Sequence, residues 1–395
     1  MTLSLKGLYF SSVYVLVFIT FLYMGKVFIY GPMEDIQHSE IGADLTAGAI
    51  NANLKEIEKP KKVVLLAVGD IMMHQSQLNF AYDIKTKNYD FSNYFKYINS
   101  YLAEGDIVYA NLETPVAGEE FKYSGYPRFN APISILSELK NNYFTHLSLA
   151  NNHALDQGSK GLSNTIKNVR DFGFVILGAR DDILKSNYEI YEKNGLRVGL
   201  ISYTYGANGF VLPSSKSFML SVVDKEKIIK DLNDLKMQDV DIIVSAIHFG
   251  QEYELANDKY QKEIAELACT SGADIVLGTH PHTLEPIEYL NNGECLVAYS
   301  LGNFISGMSK SYTDLGGILK IEIIKEGDDI SLTPDFMGTW VRRGYDDRGL
   351  RDYQIVPLPK DKIPEELEIT EIEEARLDIY RDFVETKIKV FNRDA

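Results

Sequence analysis

Ala273-Asp274-Ile275-Val276-Leu277-Gly278-Thr279-His280-Pro281-His282 is the stretch whose reading decides the fold. Its mostly apolar first half reads as a short buried strand, and its second half sets two imidazoles at the strand's mouth. Proline disfavours the helical region for the residue before it, so His280 is expected to be extended and both rings to leave one stiff turn. A strand-end histidine alone fits an ordinary surface or core role equally well. The pair becomes informative only if other strand ends carry ligand chemistry too.

Working outward, Val63 to Val68 is a dense apolar strand that runs into Gly69 and Asp70. Ile107 to Leu112 delivers Asn111 and Glu113, and His146 to Ala150 delivers Asn151, Asn152 and His153, with Asp156 beyond. Ile242 to Ile247 delivers His248, followed by Gln251, Glu252 and Tyr253. Each residue has a plain alternative: Asp70 as a helix cap, Glu113 as a surface acid, Asn152 in an Asx-turn. Yet five of the seven histidines, His74, His153, His248, His280 and His282, fall at or just past strand ends. Five strand ends supplying Asp, Glu, Asn with His, His and a His pair make a ligand set for two divalent metals at the carboxyl edge of a sheet. Asp156 is placed equally well to orient His153 or to cap a helix starting near Gly158.

These strands, with Phe174 to Leu177, Val198 to Tyr203 and Leu296 to Tyr299, alternate with helical patterns over 91–103, 161–172, 224–235 and 259–270. That alternation is α/β. Later strands lack intervening helices, which points to antiparallel additions and a layered sandwich. From Pro364 onwards, Ile369, Ile372, Ala375, Ile379 and Phe383 recur at near-helical spacing and predict a terminal amphipathic helix.

The chain has 395 residues and a formal net charge of -16, which argues against nonspecific binding to nucleic acid, since that relies on Lys and Arg displacing counterions. Leu8 to Tyr30 is almost entirely apolar and long enough to span a bilayer, with Lys6 before it and Glu34 and Asp35 after it. The positive-inside rule then sets the N-terminus in the cytoplasm and the remainder outside, on an uncleaved single-pass anchor, with a cleaved signal peptide as the alternative. The expected organisation is an anchor over 1–32, a tether over 33–62, one large domain over 63–360 and a helical tail over 361–395. Cys269 and Cys295 sit in apolar contexts and are expected to be two unpaired buried thiols.

The stretches GDIMMH, ANLETP, SLANNHALDQG, HFGQEY, GTHPH and YSLGNF, in this order between Val63 and Ile305, resemble the CapA (PgsA) family of bacterial capsule synthesis proteins, associated with poly-γ-glutamate. That family is similar to calcineurin-like metallophosphoesterases. The resemblance therefore implies a four-layer α/β/β/α sandwich holding two divalent ions of the Mn, Fe or Zn class. It places Asp70 and His282 on a first metal, Glu113 between both, Asn152, His248 and His280 on the second, and His153 beside the leaving group. Two positions depart from the phosphoesterase pattern: Met72 stands where a histidine is usual, and Glu113 where an aspartate is. A thioether is a poor ligand for a hard ion, which makes His74 a substitute ligand. Arg128 is a candidate anion clamp, and Glu252 and Asn303 are candidate substrate contacts.

The expected function is capsule polymer synthesis or export at the cell surface, with poly-γ-glutamate as polymer and a polyglutamate ligase or export subunits as partners. The alternatives are a metal-dependent hydrolase of envelope phosphoesters or γ-glutamyl amides, and a noncatalytic scaffold.

Overall fold

The computed structural model describes residues 60–345, 349 and 351–389. The expected anchor and nearly all of the tether lie outside the described residues. Among those described, no helix is long and apolar enough to cross a membrane.

The strands are β1 (Lys61–Ile71), β2 (Tyr82–Asp83), β3 (Asn88–Tyr89), β4 (Ile107–Leu112), β5 (His146–Ser148), β6 (Val175–Leu177), β7 (Tyr188–Lys193) and β8 (Leu196–Thr204). They continue with β9 (Ile242–His248), β10 (Ile275–Thr279), β11 (Ile287–Leu290), β12 (Cys295–Ala298), β13 (Asn303–Ile305), β14 (Leu315–Glu326), β15 (Asp329–Tyr345) and β16 (Arg351–Pro357). The helices are α1 (Gln75–Ala81), α2 (Asn99–Leu102), α3 (Ser134–Asn141), α4 (Gly158–Asp171), α5 (Lys225–Lys236), α6 (Lys259–Ser271) and α7 (Glu371–Phe383).

An eight-stranded sheet runs β16-β15-β14-β1-β4-β5-β6, with β13 paired to the end of β1, and a six-stranded sheet runs β11-β12-β10-β9-β8-β7. In the first, β1, β4, β5 and β6 are parallel; in the second, β8, β9, β10 and β12 are. Side chains alternate across a strand, and β1 shows what that does here. Val64, Leu66 and Val68 pack with Leu78 of α1, Leu102 of α2, Leu136 of α3 and Ile166 of α4. Val63, Leu65 and Ala67 face the other way, against Leu200 of β8, Val244 of β9 and Leu277 of β10. The far face of the six-stranded sheet, Ile201, Tyr203, Ile243 and Val276, carries Leu232 of α5 and Ile264 of α6. The layers are therefore α/β/β/α, with parallel strands of both sheets ending near one cleft.

Two expectations are corrected, and the terminal helix is found. The helix over 91–103 is a 3-10 turn at Ser92–Phe95 and the four-residue α2. Its apolar residues Phe91, Tyr94, Phe95, Ile98 and Leu102 are all buried, and i to i−3 bonds such as Ile98 N to Phe95 O (3.0 Å) bury them without a continuous helix. Cys269 and Cys295 form a disulfide, because α6 lies on the sheet face that starts β12 and brings their Cα atoms to 5.7 Å. An apolar context suits a buried disulfide as well as buried thiols.

The terminal helix starts only at Glu371, capped by Thr370 with Glu373 closing a capping box. Its buried side chains are Leu377 and Tyr380, which join the core between the sheets, while Ile372 and Ile379 are 80% and 58% exposed.

Candidate metal centre

Asp70 reaches the cleft because β1 is irregular there: its register to β4 shifts between Ala67 and Asp70, bringing Asp70 opposite Asn111 and Asn303. Gly69 makes this possible, since a Cβ on it would sit 1.8 Å from the Gly302 carbonyl oxygen, the atom that accepts the Asp70 N–H at 2.9 Å. Gly278 plays the same part under the histidine pair, where a Cβ would lie 1.9 Å from the Tyr299 oxygen.

The turn beyond it is not extended as expected. His280 has φ +106° and His282 φ +61°, conformations that cost free energy for a residue with a Cβ and persist only where surroundings enforce them. Here the Pro281 carbonyl is captured by the Tyr253 N–H at 2.8 Å, and the Thr283 hydroxyl is bound to the Glu254 carbonyl. Tertiary capture overrides the local preference set by proline.

Asp70, Glu113, Asn152, His248, His280 and His282 are all buried, and the structure brings them together. Donor atoms of Glu113, His280 and His282 lie within 4.8 Å of one another, as do those of Asp70, Glu113 and His248, so Glu113 belongs to both groups. His282 Nδ1 is 3.1 Å from Asp70 Oδ2 and 3.2 Å from Asn303 Oδ1, which leaves its Nε2 facing Glu113 Oε1 at 3.8 Å. His248 Nε2 is 3.0 Å from Asn152 Oδ1 and 3.6 Å from Glu113 Oε1.

Burial, and then the Asp70 charge, pushes the Glu113 carboxyl well above its ordinary range. Burial with the neighbouring imidazoles holds His248 well below its ordinary value and His280 down at about 3. Neutral imidazoles are what a metal requires.

Whether these residues fit divalent ions is answered by two atoms: Glu113 Oε1 and His280 Nδ1 are buried without a hydrogen-bond partner. Unpaired buried polar atoms are rare in folded proteins. Donors at ligand bond lengths of about 2.1 Å from one ion stand roughly 3–4 Å apart, the spacing seen between Glu113 Oε1 and the two imidazole nitrogens. The donor set fits.

His153 stands beside the centre, its Nδ1 2.8 Å from Asp156 Oδ2 and its ring 4.7 Å edge-on from Phe129. Asp156 Oδ2 also accepts the Phe129 N–H at 2.7 Å, and the N-cap of α4 is Gln157. Of the two roles open to Asp156, this one orients His153.

His74 lies outside both donor groups. Its Nδ1 accepts the Gly307 N–H at 3.2 Å, and burial, followed by the charges of His282, His153 and Arg343, brings it down to about 4. Arg128 is exposed with its guanidinium 4.9 Å from the Phe210 ring, and Glu252 is exposed. Asn303 is buried and braces the turn, donating to the carbonyls of His282 (3.3 Å) and Thr313 (2.9 Å).

Two residues had no role in the sequence reading. The Asn111 side-chain amide donates to Asp70 Oδ1 (2.8 Å) and Glu113 Oε2 (3.3 Å) and sits 3.2 Å from His248 Nδ1, while the Asn151 side-chain amide donates to Asn111 Oδ1 at 3.1 Å. Both lie in the strand-end stretches already singled out; only the partner positions were missing.

A sandwich whose two sheet edges face buried carboxylate, amide and imidazole donors across one cleft defines an α/β/β/α protein with a candidate metal site. Residues 64–308 match the family described as bacterial capsule synthesis protein PGA_cap, and the chain belongs to that family. It is 31% identical over 260 residues to the capsule biosynthesis protein CapA of Bacillus anthracis, covering 62% of this chain and 60% of that protein's length. It is 30% identical over 269 residues to the PGA biosynthesis protein CapA of Bacillus subtilis (strain 168), covering 66% of this chain and 67% of the relative. Among solved structures it is similar to the calcineurin-like phosphoesterase YfkN from Bacillus subtilis, with TM-score 0.43 and 17% identity over 70% of this chain and 90% of that one. It is also similar to the Haemophilus influenzae NAD nucleotidase, with TM-score 0.43 and 15% identity over 85% of this chain and 57% of that one.

Proposed function

We propose that this chain works outside the cytoplasmic membrane in the synthesis or export of an anionic capsule polymer, poly-γ-glutamate, and that its centre hydrolyses a bond of that polymer with two divalent ions. The observation that carries this is the pair of buried, unpartnered ligand atoms, Glu113 Oε1 and His280 Nδ1, inside a converging donor set. Asp70 and His282 would hold one ion, Asn152, His248 and His280 the other, and Glu113 both. Nitrogen and oxygen donors of this kind suit Mn, Fe or Zn.

The location rests on the apolar stretch Leu8 to Tyr30, the anchor of the proposal, and is supported by the Cys269–Cys295 disulfide, since disulfides persist in oxidising compartments. A polyglutamate ligase and export subunits are the partners this placement calls for.

Divalent ions held by these residues would supply Lewis acidity, lowering the pKa of a water and balancing charge on the attacked group. The protein's own residues do the rest. Asn111 holds the two carboxylates in place through its amide hydrogens. Asp156 fixes the His153 ring through Nδ1, so that Nε2 is the atom that passes a proton to the departing nitrogen or oxygen. Phe129 packs on that ring and limits its rotation.

The test is metal analysis of the full chain by mass spectrometry, followed by hydrolysis assays on γ-glutamyl and phosphodiester substrates. Metal-loaded wild type is expected to cleave the γ-glutamyl substrate, and His153→Ala to slow it about 10²–10⁴-fold with metal content unchanged. A metal-replete protein inactive on both substrates would make the chain a noncatalytic scaffold.

A further inference from the structure

The loop following β13, the strand β15 and the helix α7 enclose a groove of about 640 Å³. Its acidic lining is already neutralised. Asp314 accepts from Trp340 Nε1 (3.2 Å), Arg376 (3.2 Å) and the Tyr380 hydroxyl (2.5 Å), and Glu373 is paired with Arg342 at 2.9 Å. Two cations remain. Lys310 lays its ammonium on the Tyr253 ring, 3.3 Å from the centroid, and Arg343 donates to the carbonyls of Gly307 and Met308. Among the described residues neither is matched with a carboxylate, in a chain whose formal net charge is -16.

The opposite wall is the exposed stripe of α7. Ile372, Arg376 and Ile379 follow one another at i, i+4 and i+7, so they share one helix face, and all three line the groove. Both isoleucines are solvent-exposed. The groove lies close to the metal centre: the Tyr253 ring under Lys310 is 6.1 Å from the His282 ring, and Asn303 contacts both His282 and Met308, which lines the groove.

We propose that this groove seats the polymer strand. Lys310 and Arg343 bind successive carboxylates of a γ-linked glutamate chain, and Ile372 and Ile379 lie along its backbone methylenes, directing the chain towards the metal centre. A γ-linked glutamate repeat offers this alternation of a carboxylate and an aliphatic segment. Exposed guanidinium and ammonium groups that no carboxylate of the described residues pairs with recognise carboxylates at little desolvation cost. The proposal rests on the reading of poly-γ-glutamate as the polymer handled by this site.

The experiment measures binding of a labelled oligo-γ-glutamate to the metal-loaded full chain by fluorescence anisotropy. Lys310→Ala/Arg343→Ala is expected to weaken binding at least about tenfold, with metal content and melting temperature unchanged, because two charge-assisted contacts are lost. Lys216→Ala/Lys262→Ala, which removes equal charge from exposed sites elsewhere, is expected to leave binding within about twofold. An equal loss in both pairs, or none in the first, overturns the groove and leaves the polymer reading standing. Failure of wild type to bind the oligomer overturns the polymer reading itself, and with it the groove. Tighter binding of a polyphosphate chain of matched length overturns the assignment to a carboxylate polymer.

Discussion

The two sheets bring different chemistry to the same cleft. The eight-stranded sheet contributes Asp70, Asn111, Glu113, Asn151 and Asn152, which are carboxylates and amides, whereas the six-stranded sheet contributes the imidazoles of His248, His280 and His282. Each side alone is electrostatically unsatisfied. Glu113 is driven towards its neutral acid by burial and Asp70, and the histidines depress one another's protonation. A cation between the edges would relieve both, so metal binding would add to the apolar core that already joins the two sheets.

The largest effect is expected where that argument is broken at its centre. Glu113 belongs to both donor groups and His248 to one. Glu113→Ala should therefore strip the protein of metal, while His248→Ala should retain part of it, as read by mass spectrometry. Stability sharpens the same point. With chelator present, Glu113→Gln should melt above wild type, because it removes a buried acid next to Asp70. With metal present it should melt below, because wild type alone gains the binding free energy, about 2.7 kcal/mol at a hundredfold excess over Kd. A Glu113→Gln protein less stable than wild type under both conditions would show that the carboxylate is held for structure and not for an ion.

The next effect tests a residue on the carboxylate side that is itself an imidazole. His153 is fixed by Asp156 and Phe129 and stands apart from the two donor groups. Asp156→Asn is expected to keep metal content and to lower hydrolysis by roughly 10–100-fold, less than His153→Ala, since the ring remains but is less well oriented. Equal activity of Asp156→Asn and wild type would leave His153 positioned by packing alone.

How much of this was legible in the sequence follows the same division. Strand ends were legible because a dense apolar run that stops at Asp70, Glu113 or His248 marks both a buried strand and the polar edge where it ends. The family resemblance then supplied which of these residues meet. The turn at His280 and His282 was not legible: the preference set by Pro281 is local, whereas the Tyr253 N–H that captures its carbonyl comes from another loop. The disulfide was hidden for a similar reason, since the closeness of Cys269 to Cys295 comes from packing α6 on the sheet. In α7 the period was right, but periodicity does not say how deeply each residue packs: Leu377 and Tyr380 are buried and Phe383 rests on the core, while Ile372 and Ile379 stay exposed.

The smallest effect separates the metal cleft from the ordinary interior of the six-stranded half. Glu285 is fully buried like Glu113 but lies outside both donor groups, one oxygen accepting from the Gln261 amide at 2.5 Å and the other unpartnered. Burial raises its pKa from the ordinary 4.5 to about 8, against a smaller lowering by the Gln261 bond. Between those two values the native state holds a proton that the unfolded chain has lost, so stability falls as pH rises from 4.5 towards 8 and levels above it. Glu285→Gln keeps an acceptor for Gln261 and removes the ionisable group. It should match wild type near pH 5 and exceed it by roughly 2 kcal/mol above pH 8, in thermal or urea unfolding followed across that range. The slope should be the same with and without chelator, because no donor group of the cleft includes Glu285. A slope that vanishes on adding metal would tie this carboxyl to the cleft after all, and would extend the coupling between the sheets beneath the His280–His282 turn.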